Sequence, residues 1–392
     1  MTVNVNQQRD TLRTALHQLG EETIVVRSVQ LRSITPLPLD RPFYDATMGP
    51  FDRYHPFFLR ILTSEGDYGE CEYPASGLWA LRELFLPILL ATPATTYDRL
   101  YHRLFWSIRN EGFRGSAALA LGHIDRIFCD LFSRRRGQPL YRYLGGDDPA
   151  VKVYASGGSI SLRGEVLLDE LRAWEGEGYH CIKMKIGGEG VTLGDTLSRV
   201  EAVRTALRPD TALAVDANQG LELPQARALA HELEGMDIAW LEEPVHSADL
   251  RAIQSLCTST TLPISYGESE RSEKVFWTLA EAGVRHLQPI AGHLSSVRGW
   301  FEVALLARER GLTFSSGGTS YFNAPMVAAA GKHAMLEYLI PLIGALRPIL
   351  QEHPVARAGH FHLSDTPGIG TTVDWSLLQR TGGIEQERVW KR

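Results

Sequence analysis

The sequence predicts an α/β fold: a TIM-like (β/α)7-8 barrel preceded by an N-terminal α+β capping domain. Three observations carry that reading. Short apolar strands alternate with helical stretches from residue 149 onward, eight in succession, the number that closes such a barrel. Asp216, Glu242 and Glu268 stand at the ends of three consecutive strands, 26 residues apart, the length of one βα unit. Ahead of residue 149 the texture differs, with strands first and helices after, as in a separate α+β layer.

Residues 1–22 form an extension in which Leu12, Leu16 and Leu19 share one helical face, an amphipathic tail expected to pack on this or a neighbouring subunit. The capping domain is expected over 23–148. There EETIVVRSVQLRSITPL and PFFLRILTSEGDYGE read as antiparallel strands, because β-branched runs broken by Pro and Gly favour extended chain. WALRELFLPILL, YDRLYHRLFWSI and SAALALGHIDRIFCDLFSRR then shift to a helical period, and GGDDP at 145–149 closes the region. The barrel is expected over 149–350, on strands VKVYASGG, CIKMKIGG, ALAVDANQG, IAWLEEP, LPISYGESE, VRHLQPIAG, LTFSSGG and MLEYLIP. Its shortest helical stretch lies between Asn323 and Met335. Residues 351–392 form a C-terminal segment.

Composition narrows the function. With 44% apolar and 22% charged residues this is an ordinary soluble globular chain, and a net charge of −6 offers no basic face for nucleic acid. The longest apolar run, 84–94, holds two prolines and is too short to cross a bilayer, so no membrane partner is expected. Cys71, Cys129, Cys181 and Cys257 are scattered without CxxC spacing, which argues against a thiolate zinc site or a disulfide framework. The first twenty residues lack the apolar core of a signal peptide, and a reduced cytoplasmic setting is expected.

In a barrel the strand ends converge on one mouth. Three carboxylates aimed there repel one another unless a cation sits between them, and a hard oxygen set suits Mg²⁺ better than zinc. Strand-end acids often serve only as helix caps; three at equal spacing favour the metal. One strand earlier, Lys183 and Lys185 point to the same side by alternation. Side by side, two ammonium groups lower each other's pKa, so one is expected to be neutral near pH 7 and to act as a base. A divalent ion and such a base together suit removal of a proton α to a carboxylate, which leaves a doubly charged enediolate.

These residues resemble the enolase superfamily, in its mandelate racemase and muconate lactonizing enzyme branch. The resemblance runs from about residue 23 to 375. It rests on HIDRIFCDLFSRRRGQPLYRYLGG, KMK, VDAN, LEEP, YGE and the tail LSDTPGIGTTVDW. It implies that Asp216, Glu242 and Glu268 bind Mg²⁺, that Lys185 is the general base, and that Lys183 tunes it and helps hold a substrate carboxylate. Asn218 and Glu337 would lie at that carboxylate. Capping loops near 45–56 and 72–78 would offer Tyr44, Arg53, Tyr54 and His55 to the substrate, and residues 351–392 would pack back on the capping domain to complete it. A homo-oligomer acting on a small-molecule carboxylate is expected.

The departures bear on the reaction. Racemases and many dehydratases of this branch carry an Asp on the sixth strand and a His on the seventh; here Ile290 and Gly317 stand in those places. Two-base chemistry is therefore not expected. His293, three residues beyond Ile290, reads as a loop residue before it reads as a replacement base. Tyr266 reads as core, Ser315 and Ser316 as helix caps, and Tyr321 and Tyr338 as further polar groups near strand ends. The expected reaction is dehydration of a hydroxylated sugar acid by a single lysine, with lactone cycloisomerisation or a metal-binding paralogue without turnover as alternatives. A dinucleotide loop at GEGVTLG fails, because its last glycine falls one position late.

Overall fold

All eight expected barrel strands form in the computed structural model, which describes residues 5–352 and 355–392. They are Ala150–Gly157, Cys181–Lys185, Ala212–Asp216, Ile238–Glu242, Ile264–Tyr266, His286–Leu287, Thr313–Ser316 and Ala334–Leu339. Neighbours pair in parallel, and the eighth pairs with the first to close the cylinder. Covered by helices outside and side chains inside, such strands are apolar on both faces; Cys181–Lys185 is buried at every position. The short stretch before the last strand is a helix, Ser320–Ala330, buried along its whole length.

Parallel pairing fixes which residues share a layer. Asp216 lies opposite Lys185 on one side and Glu242 on the other, with Ala214 opposite Lys183 one layer below. The spacing of two lysines on one strand thus becomes two adjacent levels of the mouth.

The cap is a four-stranded antiparallel sheet, in the order Ile384–Lys391, Val26–Ile34, Phe57–Thr63, Tyr68–Tyr73. The C-terminal tail therefore completes the cap, as expected, and also reaches the barrel, where His360–His362 pairs antiparallel with the first strand. A hairpin, Leu37–Phe43 with Phe51–Tyr54, projects from the sheet. The N-terminal helix Val5–Glu21 buries Leu12, Leu16 and Leu19 within this same chain. Its Leu16 carbonyl accepts from Arg298 of the barrel, 3.1 Å. Among the described residues no helix is long and apolar enough to cross a membrane.

Cap and barrel meet along the helix Ser116–Arg135. A Cβ on Gly122 would stand 1.9 Å from the Leu294 carbonyl oxygen and 2.6 Å from that of Gly292, in the loop after the sixth barrel strand. Helix propensity alone favours Gly122→Ala by about 1 kcal/mol. Backbone cannot step aside as a side chain can, so overpacking should win: we expect a net loss of roughly 2 kcal/mol. Denaturant midpoints of wild type and Gly122→Ala check this, and an equal or higher midpoint in the variant would refute it.

Candidate active site

The barrel mouth holds a dense set of buried charges. Lys183 Nζ lies 2.5 Å from Glu242 Oε1, 2.9 Å from Glu337 Oε1 and 3.3 Å from Asp216 Oδ2. Lys185 Nζ lies 2.6 Å from Asp216 Oδ2. The other oxygen of Glu242 accepts from Trp240 Nε1 (3.1 Å) and Gln288 Nε2 (2.9 Å). Gln288 and Trp240 did not figure among the sequence candidates, although alternation marks both: Trp240 precedes Glu242 by two, and Gln288 follows His286 by two. Glu268 enters the mouth just beyond the fifth strand. A Cβ on the intervening Gly267 (φ +143°) would meet Gln288 backbone at 2.9 Å, so the turn that delivers Glu268 requires glycine.

Electrostatics here set a second effect against the like-charge pair. Burial and the nearby Lys183 both pull the Lys185 ammonium toward neutrality, but Asp216, with Glu268 and Glu337, together outweigh them and hold it up at about 12. Lys183 is likewise raised, against the pull of burial, by Glu242 and Glu337. The like-charge pair is real; the facing carboxylates override it. Burial pushes Asp216 up, yet the two lysines hold it down at about 2. Glu242 rises to about 8 through burial and repulsion from Asp216, and burial and Asp216 raise Glu268 as well.

Among the described residues no three acidic, histidine or cysteine side chains form a ready-made metal cluster, and the lysine ammonium groups sit on the oxygens of Asp216 and Glu242. The chemistry of the donors nevertheless fits a hard divalent cation. They are carboxylate oxygens without a thiolate or imidazole among them, two are destabilised by mutual repulsion, and the buried Asn218 Oδ1 beside them has no hydrogen-bond partner. Asn218 itself is fixed by its backbone N–H on Asp216 Oδ1, 2.9 Å.

The cap hairpin lies over this mouth. Thr47 Oγ1 donates to the Asn218 carbonyl (3.2 Å), and Ala46 Cβ sits 3.2 Å from where a Cβ of Gly220 would be. Tyr54 reaches the end of the seventh strand, where its hydroxyl bonds the Thr319 side chain and burial raises its pKa. His55 does not join it. It turns outward to Glu385 of the C-terminal strand (2.7 Å) and packs at a tilt against Phe57, because neighbouring residues of extended chain face opposite ways. Arg53 is exposed on the hairpin.

Opposite Lys185, the expected dyad positions are apolar. Ile290 is buried against Gly318, and a Cβ on Gly317 would stand 2.3 Å from Glu337 Oε2. Glu337 thus takes the space that a seventh-strand side chain would need. His293 faces the cap interface, with its ring 5.8 Å from that of His123. Burial and the charges of Arg271 and Arg126 hold it at about 3, too weak a base for the missing histidine's role. Beside it the fully buried Arg126 joins Glu72 (3.0 Å), Asn323 (2.5 Å) and the Ala291 carbonyl (3.3 Å), tying cap to barrel. Tyr266 braces Val245, as a core residue would. Ser315 and Ser316 are not caps: they bond His286 (2.8 Å) and the Ala291 N–H (2.9 Å). Tyr321 and Tyr338 pack edge to face near Phe361.

A closed βα barrel with lysines on its second strand and acids ending the third to fifth defines a class, and comparison supplies the family. The chain belongs to the family described as Enolase C-terminal domain-like, which matches residues 166–377. It is 30% identical to a D-galactarolactone cycloisomerase of Agrobacterium fabrum, over 64% of this chain and 67% of that protein. It is 25% identical to an arabinonate dehydratase of Saccharolobus solfataricus, over 80% of this chain and 87% of that one. Among solved structures, a racemase from Streptomyces coelicolor with bound magnesium superposes with a TM-score of 0.82 at 25% identity, covering 91% of this chain and 99% of that one.

Two outcomes follow from this geometry. Gly317→Ala should push Glu337 off Lys183, and with it the carboxylate-binding side of the mouth. A crystal structure of the variant with the 2.9 Å contact intact would contradict that. The second concerns acid. Burial, assisted by Lys183, holds His286 at about 3, and burial with Arg126 holds His123 well below its usual value. A histidine whose folded pKa lies below its unfolded 6.5 stabilises fully above pH 6.5, and that contribution is lost as pH falls toward 3. The contribution of His286 should therefore be lost as pH falls from about 7 to 4, so over that range wild type should lose stability relative to His286→Gln. Denaturant titrations across that range measure it.

Proposed function

We propose that this chain is a magnesium-dependent enzyme that removes the proton α to a carboxylate and dehydrates a hydroxylated sugar acid. The observation that carries the reading is Lys185 Nζ at 2.6 Å from Asp216, in the same buried mouth where Lys183 bridges Glu242 and Glu337. Asp216, Glu242 and Glu268 would hold the Mg²⁺, which when bound supplies positive charge to the substrate carboxylate and draws the charge of Asp216 away from Lys185. Burial and Lys183 then both favour the neutral amine at Lys185, the form that accepts the α-proton. Lys183 and Asn218 would hold the carboxylate, and Glu337 would hydrogen-bond one of its oxygens. Tyr54, from the cap, would meet the distal part of the substrate.

With Ile290 and Gly317 on the far side, the proton leaves from one face only. The protonated Lys185 can then return it to a departing β-hydroxyl on that same face, so that water is lost and the enol product becomes a 2-keto-3-deoxy acid. The similarity to a D-galactarolactone cycloisomerase favours a second reading, lactone isomerisation by the same single base.

Incubating sugar acids and lactones with the protein and Mg²⁺ in D₂O, read by NMR, separates these readings. A 2-keto-3-deoxy product carrying deuterium at C3 supports dehydration, an isomerised lactone supports the second reading, and a library in which no compound is converted and none exchanges its α-proton counts against both. Lys185→Ala should lower α-proton exchange by about 10²- to 10⁴-fold while leaving Mg²⁺ affinity intact. Full exchange in that variant would remove Lys185 from its role.

A further inference from the structure

Arg199 lies outside the mouth, on the helix Leu193–Ala206 that follows the second barrel strand. Its half-buried guanidinium donates to four backbone carbonyls: Nε to Lys185 (3.2 Å), Nη1 to Leu162 (2.5 Å), and Nη2 to Gly158 (3.0 Å) and Ser159 (2.9 Å). None of these partners is a carboxylate. Burial and the neighbouring Arg163 pull it down to about 10, so the cation sits at a cost that its four hydrogen bonds must offset.

Those four carbonyls are not a random set. The Gly158 oxygen also accepts the Lys185 N–H (3.2 Å), so both backbone polar groups of Lys185 are held in one frame with Arg199. Gly158 sits at φ +57°, and a Cβ there would stand 2.7 Å from Met184, so the turn is fixed in shape. The next residue, Ser159, takes the Tyr44 N–H on its hydroxyl (2.8 Å) and donates to the Tyr44 carbonyl (3.1 Å). The Ile160 N–H donates to that same carbonyl, 3.1 Å. Tyr44 begins the cap loop whose Ala46 and Thr47 lie over the strand ends.

We propose that Arg199 is a positioning residue that couples the orientation of Lys185 to the docking of the cap loop 44–50. The inference rests on the proposed role of Lys185 as base. Only a planar fork can serve four carbonyls in these directions; a lysine ammonium in its place could reach one or two.

The test begins without substrate, so that it does not depend on the reaction assigned above. Amide hydrogen exchange by mass spectrometry is compared between the wild-type protein and Arg199→Lys. We expect exchange at least about 10-fold faster in peptides covering 44–48 and 158–162, two segments far apart in sequence, with the strand Ala212–Asp216 unchanged. Arg227→Ala, an exposed arginine that bonds Ser255 (2.5 Å) away from these carbonyls, should alter neither segment. Acceleration spread through Ala212–Asp216 would mean general destabilisation, and no acceleration at 44–48 would mean no coupling; either overturns the proposal. Should Arg199→Lys not fold, Ser159→Ala removes the hydroxyl that holds Tyr44 and Ser161 while leaving the Arg199 fork in place, and should speed 44–48; an unchanged 44–48 there overturns the proposal too. On a substrate supplied by the D₂O screen, Arg199→Lys should lower kcat by about 10- to 100-fold with Mg²⁺ affinity retained, as expected for a misplaced base. Unchanged kcat refutes the link to Lys185, whereas a wild type inert toward every acid refutes the reaction and leaves the amide result standing.

Discussion

Two buried ammonium groups set against a ring of carboxylates govern the barrel mouth. Removing either sign alone would leave uncompensated charge in a region almost closed to water, which is far costlier than the pair itself is stabilising. Lys183 is nearly inaccessible and touches three acids from three different strands. The third, fourth and eighth strands are thereby referred to one atom on the second. Trp240 and Gln288 clamp the remaining oxygen of Glu242 from the fourth and sixth strands, so the charges are braced by neutral donors as well. A divalent cation entering this mouth would compete with the lysines for the oxygens of Asp216 and Glu242 and would loosen the hold of Asp216 on Lys185.

How much of this was legible in the sequence depended on range. The barrel strands were, because each is a short apolar run, and the register that sets Asp216 between Lys185 and Glu242 follows from parallel pairing. The positions of Asn218 and Glu337 in the mouth were legible through family resemblance. The protonation of Lys185 was not. Its local neighbour is Lys183, which argues for a lowered pKa, while the decisive partner, Asp216, faces it from another strand. His55 was offered by resemblance as part of the capping loop, but extended chain sends adjacent side chains apart, and it turns to Glu385 while Tyr54 turns to the mouth. Arg199 left no sequence signal, since its partners are backbone carbonyls, which every residue carries.

The apolar wall at Ile290 and the glycine at 317 bear on stereochemistry. Glu337 occupies the room beside Gly317, so restoring a histidine there would require moving an acid already committed to Lys183. On the proposed reading the mouth has one reactive face, and the buried interface behind the opposite wall, with Arg126, His123 and His293, ties cap to barrel.

The strand Ile384–Lys391 has a consequence for how the molecule is made. It covers one edge of Val26–Ile34, a strand synthesised at the other end of the chain. Until residues 384–391 are made, one edge of that early strand keeps its amides unpaired, whereas every barrel strand can already find its neighbours. Assembly of the nascent chain is thus ordered by arithmetic of position, with the cap's hydrogen-bonded seam sealed after the barrel strands are made and its open edge exposed to mispairing until then.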